Sequence, residues 1–143
     1  MVAARYALAA AYCAPLARIC GVDLLTAGVL AGILGPGRRF ATDAQLAAYA
    51  GAAPLEASSA ERVRHRLNRG GHRRLNAILY RIILTQTRRS PAAKAYLTRR
   101  MGEGKTRREA VRALKRYVIR AIWKHWQECL AAQEGVPADA LAA

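Results

Sequence analysis

Apolar residues recur at helical spacing through the second half of the chain. Between residues 72 and 89 they fall at i, i+3 and i+4 positions, a pattern typical of a helix that buries one face. Between residues 106 and 132 an apolar stripe and a basic stripe each recur every fourth residue, on opposite sides of a helix. The predicted core positions of these two helices are Leu75, Ile78, Leu79, Ile82, Ile83, Ala110, Leu114, Val118, Ile122 and Trp126. The pattern therefore predicts a central core helix and a long C-terminal helix.

Cap and turn residues divide the remaining sequence into shorter helices. Thr42 or Asp43 is suited to cap one helix, and Ser90 to cap another that has Pro91 at its first position. Thr106 is the expected cap of the long C-terminal helix. The shorter predicted helices span residues 3–19, 24–34, 43–49 and 91–101.

Residues 52–71 lack a helical apolar period. From Arg62 to Leu67 arginines alternate with other residues, which indicates an extended arm or a short strand. Because β-branched residues are sparse elsewhere, the expected fold is mainly α. It is a single compact helical domain with a helix-hairpin-helix-like N-terminal part, an extended basic arm that contains serines, and long C-terminal helices.

The helix-hairpin-helix likeness lies in the segment ICGVDLLTAGVLAGILG. In that motif the amides of a glycine turn hold a DNA phosphate. Asp23 stands where the motif usually has a second glycine, and a carboxylate there would repel a phosphate. The segment is therefore either a phosphate-binding hairpin or a structural turn.

The distribution of charge says more about the function of the chain than its composition does. The 143 residues, 53% of them hydrophobic, suffice for one ordinary core. The formal net charge is +15, and residues 62–124 carry 20 basic and 2 acidic residues, a net of +18. Such asymmetry indicates a polyanionic partner, nucleic acid first and an acidic membrane surface second. The membrane interpretation is the weaker one, because Trp123 and Trp126 align with the predicted buried face.

The chain contains three cysteines, Cys13, Cys20 and Cys129. Their number is odd, and no two of them form a CxxC motif. We therefore expect reduced, buried thiols in a cytoplasmic protein, without a disulfide framework or a metal site.

Candidate chemistry concentrates around the adjacent hydroxyls Ser58 and Ser59. A serine next to several arginines places a candidate nucleophile beside groups that bind phosphodiesters. The same arginines could equally form a passive phosphate clamp, and the only nearby candidates for a general base are His65 and His72. The predicted nucleic-acid ligands are Arg62, Arg64, Arg66, Arg69, Arg73, Arg74, Arg108, Arg112, Arg116 and Arg120.

The order of these segments resembles a known family. The segments are GVDLLTAGVLAGILG, then FATDAQLAAYAGAAPLEASSAERVRHRLNRGGHRRLNAILY, then SPAAKAYLTRRMGEGKTRREAVRALKRY. They resemble the C-terminal transposase domain of insertion-sequence family 110, which includes the Piv-type DNA invertases, over about residues 17–126. The glycine turn, the AYAGAAP segment, the serine and the RGG before a helix occur in the family's order.

The resemblance implies DNA recombination in which a serine is the nucleophile. Ser59 matches the family serine, with Ala60 in place of the usual following glycine, and Ser58 is the alternative. In the family an N-terminal RNase H-like domain holds a divalent cation such as Mg²⁺, and a structured RNA guides target choice. The scattered carboxylates of this chain do not build that site, so no cofactor is expected on this chain. It is expected to be inactive without that domain.

The resemblance also implies partners, location and domain limits. The expected partners are DNA, a structured guide RNA, and either a separate RNase H-like half or a second copy of the chain; no membrane is expected. The expected location is the bacterial cytoplasm, in association with the nucleoid. Residues 1–16 would be an N-terminal helix or interdomain remnant, residues 17–130 the transposase domain, and residues 131–143 a frayed tail. The alternative function is a non-catalytic basic nucleic-acid-binding module.

Overall fold

A computed structural model describes residues 13–35, 39–52, 55–59, 62–66 and 72–134. A 3-10 helix, Ala14–Arg18, comes first in these residues. The elements that follow are α1 (Leu24–Leu34), α2 (Asp43–Tyr49), β1 (Leu55–Ser59), β2 (Arg62–Arg66), α3 (Arg73–Arg89), α4 (Pro91–Gly102) and α5 (Arg107–Glu134). The predicted mainly α class is confirmed.

The core lies between α3 and α5, with the shorter helices packed around them. All ten core positions predicted from helical periodicity are buried. Leu16 of the 3-10 helix, Leu30 of α1 and Leu46 of α2 complete the core from the N-terminal side. Burying a side chain of this size contributes about 1.5–3 kcal/mol relative to leaving it exposed. The apolar stripes therefore account for why α3 and α5 pack together.

Side-chain caps begin the helices where the sequence predicts them. Thr42 accepts a hydrogen bond from the amide of Gln45 at 3.2 Å, and Ser90 accepts one from the amide of Ala93 at 3.2 Å. Asp23 accepts from the amide of Thr26 at 2.7 Å, and that backbone hydrogen bond is the main reason its pKa is lowered. Asp23 thus caps α1, which supports the structural-turn interpretation of this segment. The helix-hairpin-helix interpretation stays a prediction.

The N-terminal helix differs from its prediction. Residues 3–12 lie outside the described part of the chain. The remainder of the predicted helix is a 3-10 helix that begins next to Pro15 and ends before Ile19, rather than an α-helix. Pro15 has no amide hydrogen and accordingly stands in the first turn, where no intrahelical partner is needed. At the other end of the chain α5 extends to Glu134, into the segment assigned to a tail.

The turn after the 3-10 helix packs directly on α3. Gly21 has a φ of +90°, and a Cβ at this position would lie 3.0 Å from the carbonyl oxygen of Ile82. The Gln86 side chain also donates to the carbonyl oxygen of Cys20 at 2.9 Å. Close backbone approach therefore requires glycine here, for both steric and conformational reasons.

The cysteines only partly follow their prediction. Cys13 and Cys129 are buried, and burial raises the pKa of the Cys129 thiol to about 11. Cys20 is exposed, because it lies in the turn rather than on the buried side of a helix. No helix in the described ranges is both long and apolar enough to cross a membrane.

Candidate nucleic-acid interface

The segment predicted as an extended basic arm is one strand of a β-hairpin. β1 and β2 pair antiparallel, with Ser59 opposite Arg62 and Ser58 opposite Val63. The extended backbone is confirmed, whereas the partner strand Leu55–Ser59 was not predicted. Ser59 is the last paired residue of β1, so it stands next to the connection between the strands.

The pairing register of the hairpin places the two candidate serines in different sets of alternate residues. Residues directly opposite one another, and their neighbours two positions along, belong to one face of a hairpin. Ser59 therefore belongs to the same alternate set as Arg62, Arg64 and Arg66. Ser58 belongs to the other set, with Val63 and His65. Among the two hydroxyl residues, Ser59 is the one whose register position matches that of the arginines.

Both ends of the hairpin segment are fixed at one place in the helical body. The amide of Ala52 donates to the carbonyl oxygen of Ala47 at 2.9 Å, and the amide of His72 donates to that of Tyr49 at 2.7 Å. The rings of Tyr49 and His72 also lie 5.3 Å apart between centroids. The chain thus leaves α2 and returns to α3 at adjacent points, so the segment that contains the hairpin begins and ends beside the start of α3.

The first turn of α3 is strongly basic. Arg73 and Arg74 are exposed there, and the first turn contains no acidic residue. The positive end of the helix dipole makes two cations unfavourable at this position and an anion favourable. The His72 Nδ1 accepts a hydrogen bond from the amide of Leu75 at 3.1 Å, so this nitrogen caps the helix. That hydrogen bond occupies the Nδ1 lone pair, and Nε2 then carries the proton of the neutral imidazole, so neither nitrogen of His72 is free to act as a general base in this arrangement.

Three arginines of the predicted stripe continue the basic surface on α5. Arg108 and Arg112 are exposed and Arg116 is half-buried. The one acidic residue in the first turn, Glu109, accepts from the amide of Thr106 at 2.8 Å and completes the cap of α5. That backbone hydrogen bond is the main cause of its lowered pKa. Within the described part of the chain none of the three arginines forms an ion pair, although the charge of Arg112 contributes to the lowered pKa of Glu109.

Lys115 joins the basic start of α3 to the stripe on α5. Its Nζ donates to the side-chain oxygen of Asn76 at 3.2 Å. Burial lowers the pKa of Lys115, and the neighbouring positive charge of Arg112 lowers it further. Since Asn76 lies one turn from Arg73, this contact brings the two basic segments to the same end of the molecule. Sequence periodicity missed Lys115, because nothing in the pattern shows which helix faces it.

Arg120, the last arginine of the predicted set, has a partner within the fold. Its Nε donates to a carboxylate oxygen of Asp43 at 3.2 Å, which ties α5 to the start of α2. Arg39 was also missed by sequence reasoning: its guanidinium lies 5.3 Å from the ring centroids of both Phe40 and Tyr49. Of the other predicted ligands, Arg69 lies outside the described residues, and only the backbone places Arg62, Arg64 and Arg66.

Comparison with known proteins identifies relatives of the chain. The model of the transposase IS116/IS110/IS902 family matches residues 13–98. A curated relative, the insertion element IS110 uncharacterized 43.6 kDa protein of Streptomyces coelicolor, is 35% identical over 104 residues. That alignment covers 72% of this chain and 26% of the relative, so the chain spans about a quarter of the relative's length.

The family match contains the turn, α1, α2, the hairpin, α3 and most of α4. It extends over more than half of the 143 residues. The chain belongs to the transposase IS116/IS110/IS902 family.

Proposed function

We propose that this chain is the serine-bearing, nucleic-acid-binding domain of an insertion-element transposase. The observation that carries the proposal is the concentration of unpaired cations at the end of the molecule from which the Ser58 and Ser59 hairpin leaves the helical body. Arg73, Arg74 and three arginines in the first half of α5 lie at this end, and among the described residues none of them forms an ion pair; Glu109, the one acidic residue nearby, is engaged in the cap of α5. A phosphodiester backbone supplies the missing negative charge.

Ser59 is the proposed nucleophile, with Ser58 as the alternative. Its hydroxyl oxygen would form a bond to a backbone phosphorus while the bond to the 3′ oxygen breaks, leaving a phosphoserine ester and a free 3′ end. A serine hydroxyl is weakly nucleophilic at neutral pH and must lose its proton to a base. Arginines stabilise the charge that develops on the phosphate and the leaving oxygen, but they do not accept this proton.

Removal of the proton from the serine hydroxyl is therefore assigned to residues outside this chain. Nine carboxylates are present in 143 residues, and Asp23, Asp43 and Glu109 among them already cap helices or pair with arginine. An acidic RNase H-like domain that carries a divalent cation, joined to this domain or supplied separately, would provide the base. A structured guide RNA is a further proposed partner of the same basic surface.

Binding by the purified chain tests the first half of the proposal. We expect it to bind duplex DNA with an affinity that falls steeply with salt, by about 0.9 in log affinity per log salt for each phosphate neutralised. Replacing Arg64 and Arg66 by Gln should flatten that dependence, because phosphate contacts are lost. Ser59→Ala is the matched control, since removal of one surface hydroxyl usually changes stability by less than about 0.5 kcal/mol and should leave binding unchanged.

Two outcomes would contradict the proposal. An affinity for DNA and for structured RNA that does not vary with salt would exclude phosphate binding as its basis. Loss of cooperative unfolding in the Ser59→Ala protein would show that this serine has a structural role. Binding without any covalent product in the presence of the acidic domain would favour the second candidate, a non-catalytic nucleic-acid-binding module.

A further inference from the structure

Two tyrosines meet on the surface where α4 packs against α5. The rings of Tyr96 and Tyr117 lie 5.1 Å apart between centroids, at an interplanar angle of 74°. Tyr117 remains 51% exposed, although the pair lies directly beside the core of both helices. A single exposed aromatic residue is ordinary on a protein surface, whereas edge-to-face packing of a partly exposed pair fixes the orientation of the rings.

An arginine lies against each ring. The guanidinium carbon of Arg99 is 5.3 Å from the centroid of Tyr96, and that of Arg120 is 5.5 Å from the centroid of Tyr117. Asp43 accepts a hydrogen bond from Arg120 at 3.2 Å. Glu103, by contrast, lies 3.9 Å from Arg99, too far for a hydrogen bond, and accepts one from Arg100 instead. The four side chains therefore form a continuous row, which we call the tyrosine row: Arg99, Tyr96, Tyr117 and Arg120.

We propose that the tyrosine row binds the unpaired bases of a single nucleic-acid strand by stacking. The inference rests on the proposed nucleic-acid binding and adds a site for the bases to the site for the phosphates. Base stacking on aromatic rings and on planar guanidinium groups is the general mode by which proteins hold single strands. Bases within a duplex are already stacked on each other, so their faces are not available to the row.

The charges around the row fit a strand better than they fit an apolar partner. Lys124 follows Tyr117 by seven residues, which puts it on the same side of α5 about 10 Å further along. Lys124 is exposed and has no acidic partner within the described residues. The half-buried Arg116 precedes Tyr117 directly in the sequence. A strand whose bases lie on the rings would thus have cations near its phosphates on both sides.

Tyr80 supplies a matched control on the same molecule. It is 53% exposed on α3, close to the 51% of Tyr117. Within the part of the chain that the structure describes, its ring has neither an aromatic nor a cationic partner. A non-specific effect of removing an exposed tyrosine would be the same at both positions, whereas stacking on the tyrosine row would be lost only at Tyr117.

The experiment measures the affinity of the full chain for labelled oligothymidine, oligouridine and a duplex DNA of mixed sequence. Stacking contributes enough per base that Tyr117→Ala should weaken single-strand binding about 10-fold, with less than about a twofold change on duplex. Tyr117→Phe keeps the ring and should stay within about twofold of the wild type. Tyr80→Ala should have no effect, and thermal unfolding of each variant checks that it is folded. The thymidine and uridine arms show whether the strand is DNA or RNA.

The outcomes distinguish this inference from the proposed function. Three results would each overturn the tyrosine row as a base-binding site without contradicting the proposed binding of duplex DNA. The first is that Tyr117→Ala weakens duplex and single-strand binding equally. The others are that Tyr80→Ala, or Tyr117→Phe, weakens single-strand binding as much as Tyr117→Ala does. A change in sedimentation on Tyr117→Ala, without a change in affinity, would assign the row to a protein interface instead. Absence of binding to every nucleic acid would reject the proposed function and this inference together.

Discussion

The two halves of α5 carry the same repeat but use it differently. An arginine or lysine recurs every fourth residue from Arg108 to Lys124, and Glu128 occupies the next position of the repeat. In the first half Arg108, Arg112 and Arg116 form no ion pair among the described residues. In the second half Arg120 is bonded to Asp43 and Glu128 accepts from Arg18 of the 3-10 helix at 3.1 Å, whereas Lys124 has no such partner in the described residues.

The difference follows from what packs against each half. The second half lies against the 3-10 helix and α2, and Trp123 donates from its indole nitrogen to the carbonyl oxygen of Phe40 at 3.2 Å. The first half lies near the start of α3, which is itself basic. Charges that the fold has already paired stabilise it slightly, by about 0–1 kcal/mol for a surface pair. Charges that the fold leaves unpaired are the ones available to a polyanion.

Removal of the unpaired charges should have the largest effect on binding. We expect the triple variant Arg108→Gln, Arg112→Gln and Arg116→Gln to lower the salt slope of duplex binding by about 2.7, which is 0.9 for each phosphate contact. If each contact contributes about 1 kcal/mol, binding at low salt weakens roughly 100-fold. Filter binding at several salt concentrations measures both quantities.

Arg18→Gln is the matched control, because it removes a surface arginine that forms an ion pair with the second half of α5. Arg18 is a surface arginine, but its partner is Glu128. Its removal should leave the salt slope unchanged. If Arg18→Gln alone flattened the slope as much as the triple variant, the distinction between the two halves of α5 would be wrong.

The stability of the protein should be sensitive to added side-chain volume at the turn that packs on α3. Gly21→Ala places a methyl group against the backbone of Ile82 and forces a left-handed conformation on alanine, so the free energy of unfolding should fall by about 1–3 kcal/mol. Gly32→Ala on α1 is the control, because a Cβ there meets nothing within 4 Å. That change should raise stability by about 0.5–1 kcal/mol. Urea unfolding measures both, and equal effects of the two substitutions would contradict the close packing of Gly21.

The smallest expected effect concerns Lys115. Burial lowers its pKa from the ordinary 10.5, so just below pH 10.5 the unfolded chain holds a proton that the folded chain has lost. The free energy of unfolding therefore gains a contribution that rises with pH through this window. Lys115→Met removes the contribution, and the difference in stability between the two proteins should change with pH only there. A difference that stays constant up to pH 10.5 would show that Lys115 is not desolvated in the folded protein.

Sequence features that act within one or two helical turns predicted where most helices lie, but not which residues of different elements contact one another. Caps such as Thr42 and Ser90 act within one turn, and the buried stripe of α5 follows from helical geometry alone. The pairing of Arg120 with Asp43 joins residues 77 positions apart, and no local pattern contains that information. The same holds for β1, whose five residues become a strand only because β2 lies beside them.

The candidate site was predicted by residue type and refined by register. The sequence placed both serines beside arginines without separating them, because adjacent residues have the same neighbours in a linear chain. Strand pairing assigns Ser59 and the arginines of β2 to one alternate set and Ser58 to the other. The location of Lys115 and the surface around Tyr117 depended on helix packing, which periodicity does not specify.

Trapping of a covalent DNA adduct tests the central claim most directly. The chain would be incubated with a suicide DNA substrate and an RNase H-like domain of a family member supplied in trans, and the modified residue identified by mass spectrometry. The account predicts an adduct on Ser59 that disappears in Ser59→Ala, persists in Ser58→Ala, and does not form without the acidic domain. An adduct on Ser58, or one on Ser59 formed by the 143-residue chain alone, would contradict it.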